Sequence, residues 1–148
     1  MTQLIIKKIY LASDHAGFDL KEKIKKFFKK IKIKNFDLGC FNKNSVDYPD
    51  YAKKVAYRVN KNLGMGLVIC GSGIGMSISA NRFKKVRAAL CYSVKAATLA
   101  RKHNNANVLC LGARLINFHK SKKIVKVFFS TVFEGGRHIK RVEKLDQK

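Results

Sequence analysis

The chain has few acidic residues and no long apolar run. Nine Asp and Glu stand against 32 Lys and Arg in 148 residues, which gives a net charge of +23. No apolar stretch approaches the roughly 18 residues that span a bilayer. Lys7 and Lys8 interrupt the apolar N-terminal run, which argues against a signal peptide. We therefore expect one globular domain over residues 1–148, located in the cytoplasm and without a membrane partner.

The chain has four cysteines, and their spacing carries no metal signature. Cys40, Cys70, Cys91 and Cys110 form no C-x-x-C pair, which argues against a zinc site. In a cytoplasmic protein they should be reduced. Cys91 and Cys110 stand in apolar runs and are predicted to be inert core residues.

The shortage of negative charge invites an RNA-binding hypothesis, because basic surfaces attract phosphate backbones. However, the lysines are spread over every amphipathic segment rather than gathered in one patch. The phenylalanines fall on helical core stripes, whereas single-strand binding needs exposed aromatics for stacking. We expect a solvated lysine surface that draws small anionic substrates, with no specific nucleic-acid partner.

Apolar segments of two periodicities alternate along the chain. Buried strands are predicted at residues 5–13, 35–39, 66–70, 86–91 and 107–111. Helices are predicted at residues 20–31, 51–63, 74–82, 94–103 and 118–132, with loops at 40–49 and 134–138 and a short charged helix last. Strands that are apolar on both faces indicate a parallel sheet covered by helices. The predicted fold is α/β, a doubly wound, Rossmann-like, five-stranded parallel sheet with ligands at the carboxyl ends of its strands.

The most informative stretch is the end of the third predicted strand. Cys70 is followed by Gly71, Gly73 and Gly75, so that a buried strand leads into a tight turn and then a helix. Glycines let a ligand approach the backbone, and unpaired N–H groups at a helix start suit anionic oxygens. A cysteine facing such a turn gains thiolate character. The stretch is therefore a candidate site with a base beside an anion hole.

Several familiar loops are excluded at this turn. Its spacing is G-x-G-x-G rather than the dinucleotide fingerprint G-x-G-x-x-G, and no Gly-Lys-Ser/Thr follows to make a Walker loop. A cysteine-phosphatase loop would need Arg at Met76, and a hydrolase elbow would need Gly at Val68. An anion-holding turn beside a thiol remains.

Other polar groups fall where the predicted strands or helices end: Asp14, His15, Tyr48, His103, Asn104, Arg114, Arg137 and Arg141. Taken singly, most have an ordinary explanation. The Asp-His pair can cap a helix, the His-Asn pair can end one, and the tyrosine can pack a turn. The last two arginines can be surface charges, or they can clamp one phosphate from the same face of a helix.

Together these groups resemble type B ribose-5-phosphate isomerase, of the sugar-phosphate isomerase family that includes galactose-6-phosphate isomerase subunits. The matching pieces appear in the family's order over nearly the whole chain. They are SDHAGF at residues 13–18, DYP at 47–49, ICGSGIG at 69–75, RKHNNAN at 101–107, GAR at 112–114 and EGGRH at 134–138.

The resemblance implies catalytic roles for four residues. Cys70 matches the base that moves a proton between C1 and C2 through an enediolate. Some members use a glutamate instead, at a position that is Ser79 here, and this departure favours Cys70. His103 matches the acid that opens the furanose ring, helped by Asp14, and Ser72 stands where threonine or serine is usual.

The resemblance also implies a substrate-binding set. The N–H groups of the turn match the enediolate hole, and other positions match those that contact the sugar or its phosphate. The set is Asp14, His15, Tyr48, Gly71, Ser72, Gly73, Ile74, Gly75, Asn104, Arg114, Arg137 and Arg141.

The activity implied is the interconversion of ribose 5-phosphate and ribulose 5-phosphate without metal or cofactor, in the non-oxidative pentose phosphate pathway. A six-carbon sugar-phosphate isomerase, for allose or galactose 6-phosphate, is the alternative. The family builds its site across a subunit boundary, which implies a homodimer or a tetramer. His103, Asn104 and Arg114 would then serve the neighbouring subunit's pocket.

Overall fold

Strands and helices alternate along the computed structural model, which describes residues 8–147. The strands are β1 (Ile9–Ser13), β2 (Asn35–Asp37), β3 (Met65–Cys70), β4 (Ala88–Leu90) and β5 (Val108–Gly112). The helices are α1 (Phe18–Lys30), α2 (Tyr48–Asn60), α3 (Ile74–Ala80), α4 (Val94–Asn104), α5 (Phe118–Ser130) and α6 (Arg137–Leu145). Within this range no helix combines the length and the apolar character that a bilayer crossing requires.

The five strands form one parallel sheet in the order β2-β1-β3-β5-β4. Strand β3 is central, with Ser13 of β1 opposite Ile69 and Gly112 of β5 opposite Cys70. The predicted α/β fold is therefore confirmed. Because the three strands run in register, the residues that follow each of them meet at the same edge of the sheet.

Two helical layers cover the sheet, because successive strand residues point to opposite faces. Leu67 and Ile69 of β3 share one cluster with apolar residues of α1, α4 and α5. Val68 and Cys70 share the other with residues of α2 and α3. The double winding places α3 on the face of the sheet toward which Cys70 points.

Most element boundaries differ from the predictions by a few residues, and three of the differences are informative. Pro49 was expected in a loop, but α2 begins at Tyr48 with the proline in its first turn, where a missing N–H is tolerated. Strand β2 ends at Asp37 rather than at residue 39, since Gly39 takes a left-handed φ of 103°. Helix α6 begins at Arg137, inside the predicted loop. The first predicted strand began at residue 5, and residues 5–7 lie outside the described range.

One prediction about which face of a helix is exposed to solvent was wrong. Lys21 was placed with the solvated lysines of α1, but its side chain is fully buried. Its Nζ donates to Asp37 Oδ1 at 2.6 Å, to Asp37 Oδ2 at 2.8 Å and to the Cys40 carbonyl at 2.6 Å. Lys25 Nζ donates to the same carboxylate at 2.7 Å. This ion-pair network fixes the chain that leaves β2 and leads toward α2.

Candidate active site

A cavity of about 530 Å³ opens at the carboxyl ends of β1, β3 and β5. It is lined by Asp14, Tyr48, Cys70, Gly71, Ser72, Ile74, Gly75, Ile78, Arg114 and Leu115. Eight of these ten are residues that the sequence singled out. Elements distant in sequence supply them, since the parallel register of the central strands brings their exits together.

The Cys70 thiol faces the glycine turn. Its Sγ accepts a hydrogen bond from the Gly73 N–H at 3.1 Å, and the residue is 5% exposed, at the wall of the cavity. Gly73 has a left-handed φ of 79°, and a Cβ there would lie 2.5 Å from Leu90 Cδ1. The turn that presents an N–H to the sulfur therefore requires glycine at this position.

The remaining N–H groups of the turn are mostly unengaged. Ser72 Oγ accepts from the Ile74 N–H at 3.2 Å, and Tyr92 Oη donates to the Ser72 carbonyl at 2.5 Å. Within residues 8–147, the N–H groups of Gly71, Ser72 and Gly75 donate to no protein acceptor. Three N–H groups next to the thiol are therefore free to donate hydrogen bonds to an anionic oxygen.

Asp14 and His15 follow β1 and hold the loop beside the turn. Asp14 is buried, and its Oδ1 accepts from the Gly17 N–H at 3.0 Å just before α1 begins. The N-cap of α1 is Gly17 and no side chain caps the helix, so Asp14 is not the cap that the ordinary interpretation suggested. Its side chain holds the turn before the helix and lines the cavity. His15 Nδ1 accepts from the Val46 N–H at 3.2 Å, which ties β1 to the segment before α2.

Tyr48 and Arg114 close two sides of the cavity. A Cβ on Gly75 would lie 2.6 Å from Tyr48 Cε2, so the ring packs directly on the turn. A Cβ on Gly71 would lie 3.0 Å from Arg114 Nη1, so the guanidinium lies over the other end of the turn. The Arg114 N–H also donates to the Gly71 carbonyl at 3.0 Å. A positive charge thereby lies over the Gly71 end of the turn, in the cavity that Cys70 also lines.

A second group of expected site residues does not line this cavity. His103 lies in the last turn of α4, and Arg137 and Arg141 lie on α6. Asn104, the last residue of α4, lines a different cavity beside β4. That one subunit lends His103 and Asn104 to another stays a prediction. Arg114, which was also expected in the neighbour's pocket, lines the cavity of its own chain.

His103 contacts a histidine that the sequence motifs included but to which no role was given. The rings of His103 and His138 stack with centroids 4.4 Å apart and an interplanar angle of 13°. Desolvation lowers the pKa of His138 below its ordinary value, and the neighbouring positive charges of His103, Arg137 and Arg141 act in the same direction. Glu134 opposes them. His138 is thus favoured as a neutral imidazole.

Two other thiols are core residues, as predicted. Cys91 and Cys110 are buried in the two apolar layers. Burial raises the pKa of Cys91 to about 11 and raises the pKa of Cys110 well above its ordinary value. Both therefore remain protonated and unreactive near neutral pH.

Sequence reasoning did not single out Tyr92, Ile78 or Leu115. Tyr92 supports the turn from the segment after β4, a contact for which sequence spacing offers no signal. Ile78 lies one helical turn after Ile74 on α3, and both are exposed beside the cavity. That apolar pair at a spacing of four residues was a signal that could have been used.

Known proteins share this architecture. Residues 9–145 match the model of the ribose/galactose isomerase family. The chain is 39% identical over 141 residues to ribose-5-phosphate isomerase B of Escherichia coli, covering 95% of each protein. It matches a crystal structure of ribose 5-phosphate isomerase from Thermotoga maritima with a TM-score of 0.92 and 51% identity, over 94% of this chain and 97% of that one.

A third relative was solved with a sugar phosphate. It is ribose-5-phosphate isomerase B from Mycoplasma genitalium with bound ribulose 5-phosphate. Its TM-score is 0.91 at 44% identity, covering 94% of this chain and 93% of that one. The resemblance seen in the sequence motifs is confirmed by these matches, and the chain belongs to the ribose/galactose isomerase family.

Proposed function

We propose that this protein interconverts D-ribose 5-phosphate and D-ribulose 5-phosphate through a cis-enediolate. The observation that carries the proposal is the Cys70 thiol beside unengaged turn N–H groups, in a cavity large enough for a small sugar phosphate. Removal of a proton next to a carbonyl needs a positioned base and stabilisation of the oxygen that becomes negative. The two requirements are met within one turn of chain.

The proton transfer uses Cys70 as the base. Its thiolate removes the C2 proton of the open-chain aldose, and the electron pair moves onto the carbonyl oxygen to give the enediolate. The N–H groups of Gly71, Ser72 and Gly75 then donate to the enediolate oxygens, each worth roughly 3–4 kcal/mol in comparable oxyanion holes. The O2 hydroxyl proton then passes to O1, and return of the carbon-bound proton from the thiol to C1 gives the ketose with its carbonyl at C2 and regenerates the thiolate.

Ring opening precedes this step and uses a different group. In the proposal His103 gives a proton to the furanose ring oxygen while Asp14 assists at the sugar hydroxyl. His103 does not line the cavity of its own chain, so the proposal requires a homodimer in which each subunit supplies His103 and Asn104 to its partner. His15, Arg114, Arg137 and Arg141 bind the phosphate, whose binding energy helps to orient the reacting carbons.

The proposed place of the reaction is the non-oxidative pentose phosphate pathway, with no metal or cofactor. The cytoplasmic location and the single domain over residues 1–148 stay predictions. A six-carbon sugar phosphate is the alternative substrate, since the family description covers ribose and galactose enzymes alike. The relative solved with ribulose 5-phosphate supports the five-carbon sugar.

A coupled assay with each sugar tests this proposal directly. We expect turnover of ribose 5-phosphate in the presence of EDTA, with kcat/KM exceeding that for allose 6-phosphate by about 10–200-fold, the discrimination that one extra carbon typically permits. A higher kcat/KM for the six-carbon sugar would reverse the substrate assignment. Absence of turnover with both sugars would refute the proposed function.

The phosphate role of α6 has its own test. Arg137→Ala should raise KM for ribose 5-phosphate by about 10–100-fold, because a charge-assisted hydrogen bond to phosphate contributes roughly 1.5–3 kcal/mol. Lys140→Ala removes the same charge from an exposed position on the same helix and is the matched control. Equal KM values for the two variants would remove Arg137 from the phosphate site.

A further inference from the structure

We propose that His103, Glu134 and His138 form a binding site for a transition-metal dication such as Zn²⁺, and that occupying it stops the isomerase. The three residues each offer one ligand atom, and these atoms all lie within 4.8 Å of one another. His103 Nε2 lies 3.9 Å from Glu134 Oε2. Two imidazoles and one carboxylate are a ligand set found in zinc sites that keep an open position.

The fold fixes the backbone of all three residues. His103 is in the last turn of α4 and His138 is in the first turn of α6. Between them, the Glu134 N–H donates to the Lys102 carbonyl at 3.1 Å, and the His138 N–H donates to the Gly135 carbonyl at 3.1 Å. One main-chain bond thus ties the segment before α6 to the last turn of α4, and a local turn bond fixes the start of α6 next to it.

His138 is the second observation that points to a ligand. Its side chain is only 6% exposed, and across residues 8–147 its ring nitrogens make no hydrogen bond to protein. Among residues 8–147 no side-chain nitrogen is both sealed from solvent and without a partner, so the ring nitrogens of this largely buried side chain stay open to an approaching ion. A nitrogen lone pair in this position, next to a second imidazole and a carboxylate, is available to an incoming cation.

The geometry needs a small adjustment to coordinate metal. Bonds of about 2.0–2.1 Å in a tetrahedron separate ligand atoms by about 3.3 Å. The stacked rings now lie nearly parallel, so one of them must turn before both nitrogens can point at a common ion. His103 and Glu134 supply that movement, since their side chains are 39% and 55% exposed.

The charge around the cluster selects the kind of cation. The net charge of +23 and the nearby Arg137 and Arg141 repel any cation. Mg²⁺ and Ca²⁺ prefer several oxygen ligands, and this cluster offers one carboxylate. Zn²⁺, Co²⁺, Ni²⁺ and Cu²⁺ bind imidazole strongly enough to offset the repulsion. The site therefore takes transition-metal dications and excludes the alkaline-earth ions.

Inhibition follows from the identity of one ligand, and this step rests on the proposed function. A metal on His103 occupies the nitrogen lone pair that would carry the proton to the furanose ring oxygen. The ring of ribose 5-phosphate then stays closed, so the Cys70 thiol meets no open-chain substrate from which it can remove a proton. Removal of the metal by a chelator restores the imidazole.

Binding is tested without reference to activity, on untagged protein titrated with Co²⁺ and followed by its visible absorption. We expect one site per chain in the wild type and in Cys70→Ala, with no thiolate-to-cobalt charge-transfer band. His138→Gln and Glu134→Gln should each weaken Co²⁺ binding by about tenfold or more, since even residues outside the ligand shell are worth 10–100-fold. The control His119→Gln changes an exposed histidine outside the cluster and should bind as the wild type does. Unchanged affinity in His138→Gln, or a thiolate band, would overturn the site.

The activity arm separates the two proposals. The isomerase rate of each variant is compared with the rate of the same variant in EDTA. Added Zn²⁺ should inhibit the wild type and His119→Gln at concentrations that leave His138→Gln uninhibited. Mg²⁺ should inhibit none of them. Inhibition of His138→Gln equal to that of the wild type would overturn the regulatory claim. Co²⁺ binding in a protein that never isomerises ribose 5-phosphate would uphold the site and refute the proposed function.

Discussion

Cys70→Ala lowers kcat for ribose 5-phosphate by about 10²–10⁴-fold and leaves the fold intact, if the thiol is the base, because that is the usual contribution of a positioned acid–base group. KM should change little, since the phosphate contacts remain. The measurement is a coupled assay, with circular dichroism to verify folding.

The matched control for this prediction is Cys91→Ala. Cys91 is equally a buried cysteine near the carboxyl edge of the sheet, but it does not line the cavity. Its replacement removes the same atom and should leave kcat within about twofold, with a stability change typical of a small core truncation. Near-normal turnover by the Cys70 variant would remove that residue from the role of base.

Subunit mixing extends the test to the proposed interface. Cys70→Ala and His103→Ala should each be inactive alone, because each lacks one group in every site. If His103 serves the partner's cavity, refolding the two variants together creates mixed dimers that hold one intact site. Activity should then rise toward one quarter of the wild-type rate at equal mixing. If the mixture is as inactive as each variant alone, Cys70 and His103 belong to the same chain's site or the chain does not dimerise. Either result would contradict the proposed shared site.

Asp37→Asn should lower the free energy of unfolding by about 3–5 kcal/mol, the usual effect of removing one partner from a buried ion pair. Lys21 is fully buried and has only the Asp37 carboxylate and the Cys40 carbonyl as close acceptors within residues 8–147. Glu22 Oε1 lies farther from it, at 3.7 Å. An amide at position 37 leaves an ammonium ion without its counter-charge in the interior. Urea denaturation measures the loss.

An exposed ion pair is the control for that effect. Lys43 Nζ lies 3.4 Å from Asp19 Oδ2, and both side chains are 66% exposed. Asp19→Asn makes the same chemical change and should alter stability by less than about 1 kcal/mol, because water already solvates both charges. Equal losses in the two variants would show that burial of Lys21 contributes nothing.

Acid should act on the same ion pair with a defined sign. Burial opposes ionisation of Asp37, but hydrogen bonds from Lys21, Lys25 and the Gly39 N–H together lower the pKa of Asp37 below its ordinary value. A lowered folded-state pKa stabilises the protein above the unfolded value of about 3.9, and that contribution is lost as pH falls through the lower folded value. The wild type should therefore lose its stability advantage over Asp37→Asn under strongly acidic conditions.

The fold was readable from the sequence because both periodicities were strong. Strand β3 is apolar at every position from Leu67 to Cys70, which suits a strand covered on both faces, and α5 carries its apolar residues on one stripe. Boundaries were less accurate where competing preferences met. Pro49 suggests a loop, yet the first turn of a helix accommodates it as well, and only the surrounding contacts decide.

The site likewise has features that the local sequence predicts and features that depend on distant contacts. The turn at Gly71, Gly73 and Gly75 is a local feature, so its chemistry could be inferred from spacing alone. The Tyr92 contact with the Ser72 carbonyl joins segments twenty residues apart, and no local pattern encodes it. Lys21 was misplaced for a related reason: its position on α1 reads as a surface charge until Asp37 is brought beneath it by the pairing of β1 with β2.

Main-chain hydrogen bonds join the residues that follow β3 to those that follow β5, and they restrict the distance between Cys70 and Arg114. The Ala113 N–H donates to the Cys70 carbonyl at 2.9 Å and the Arg114 N–H donates to the Gly71 carbonyl at 3.0 Å, so the main chain of Arg114 is fixed to the main chain that carries the sulfur. If Arg114 binds the phosphate as proposed, these main-chain bonds limit how far the phosphate site can move away from the base. A sugar one carbon longer must therefore bend to place its phosphate at Arg114 and its reacting carbons at Cys70.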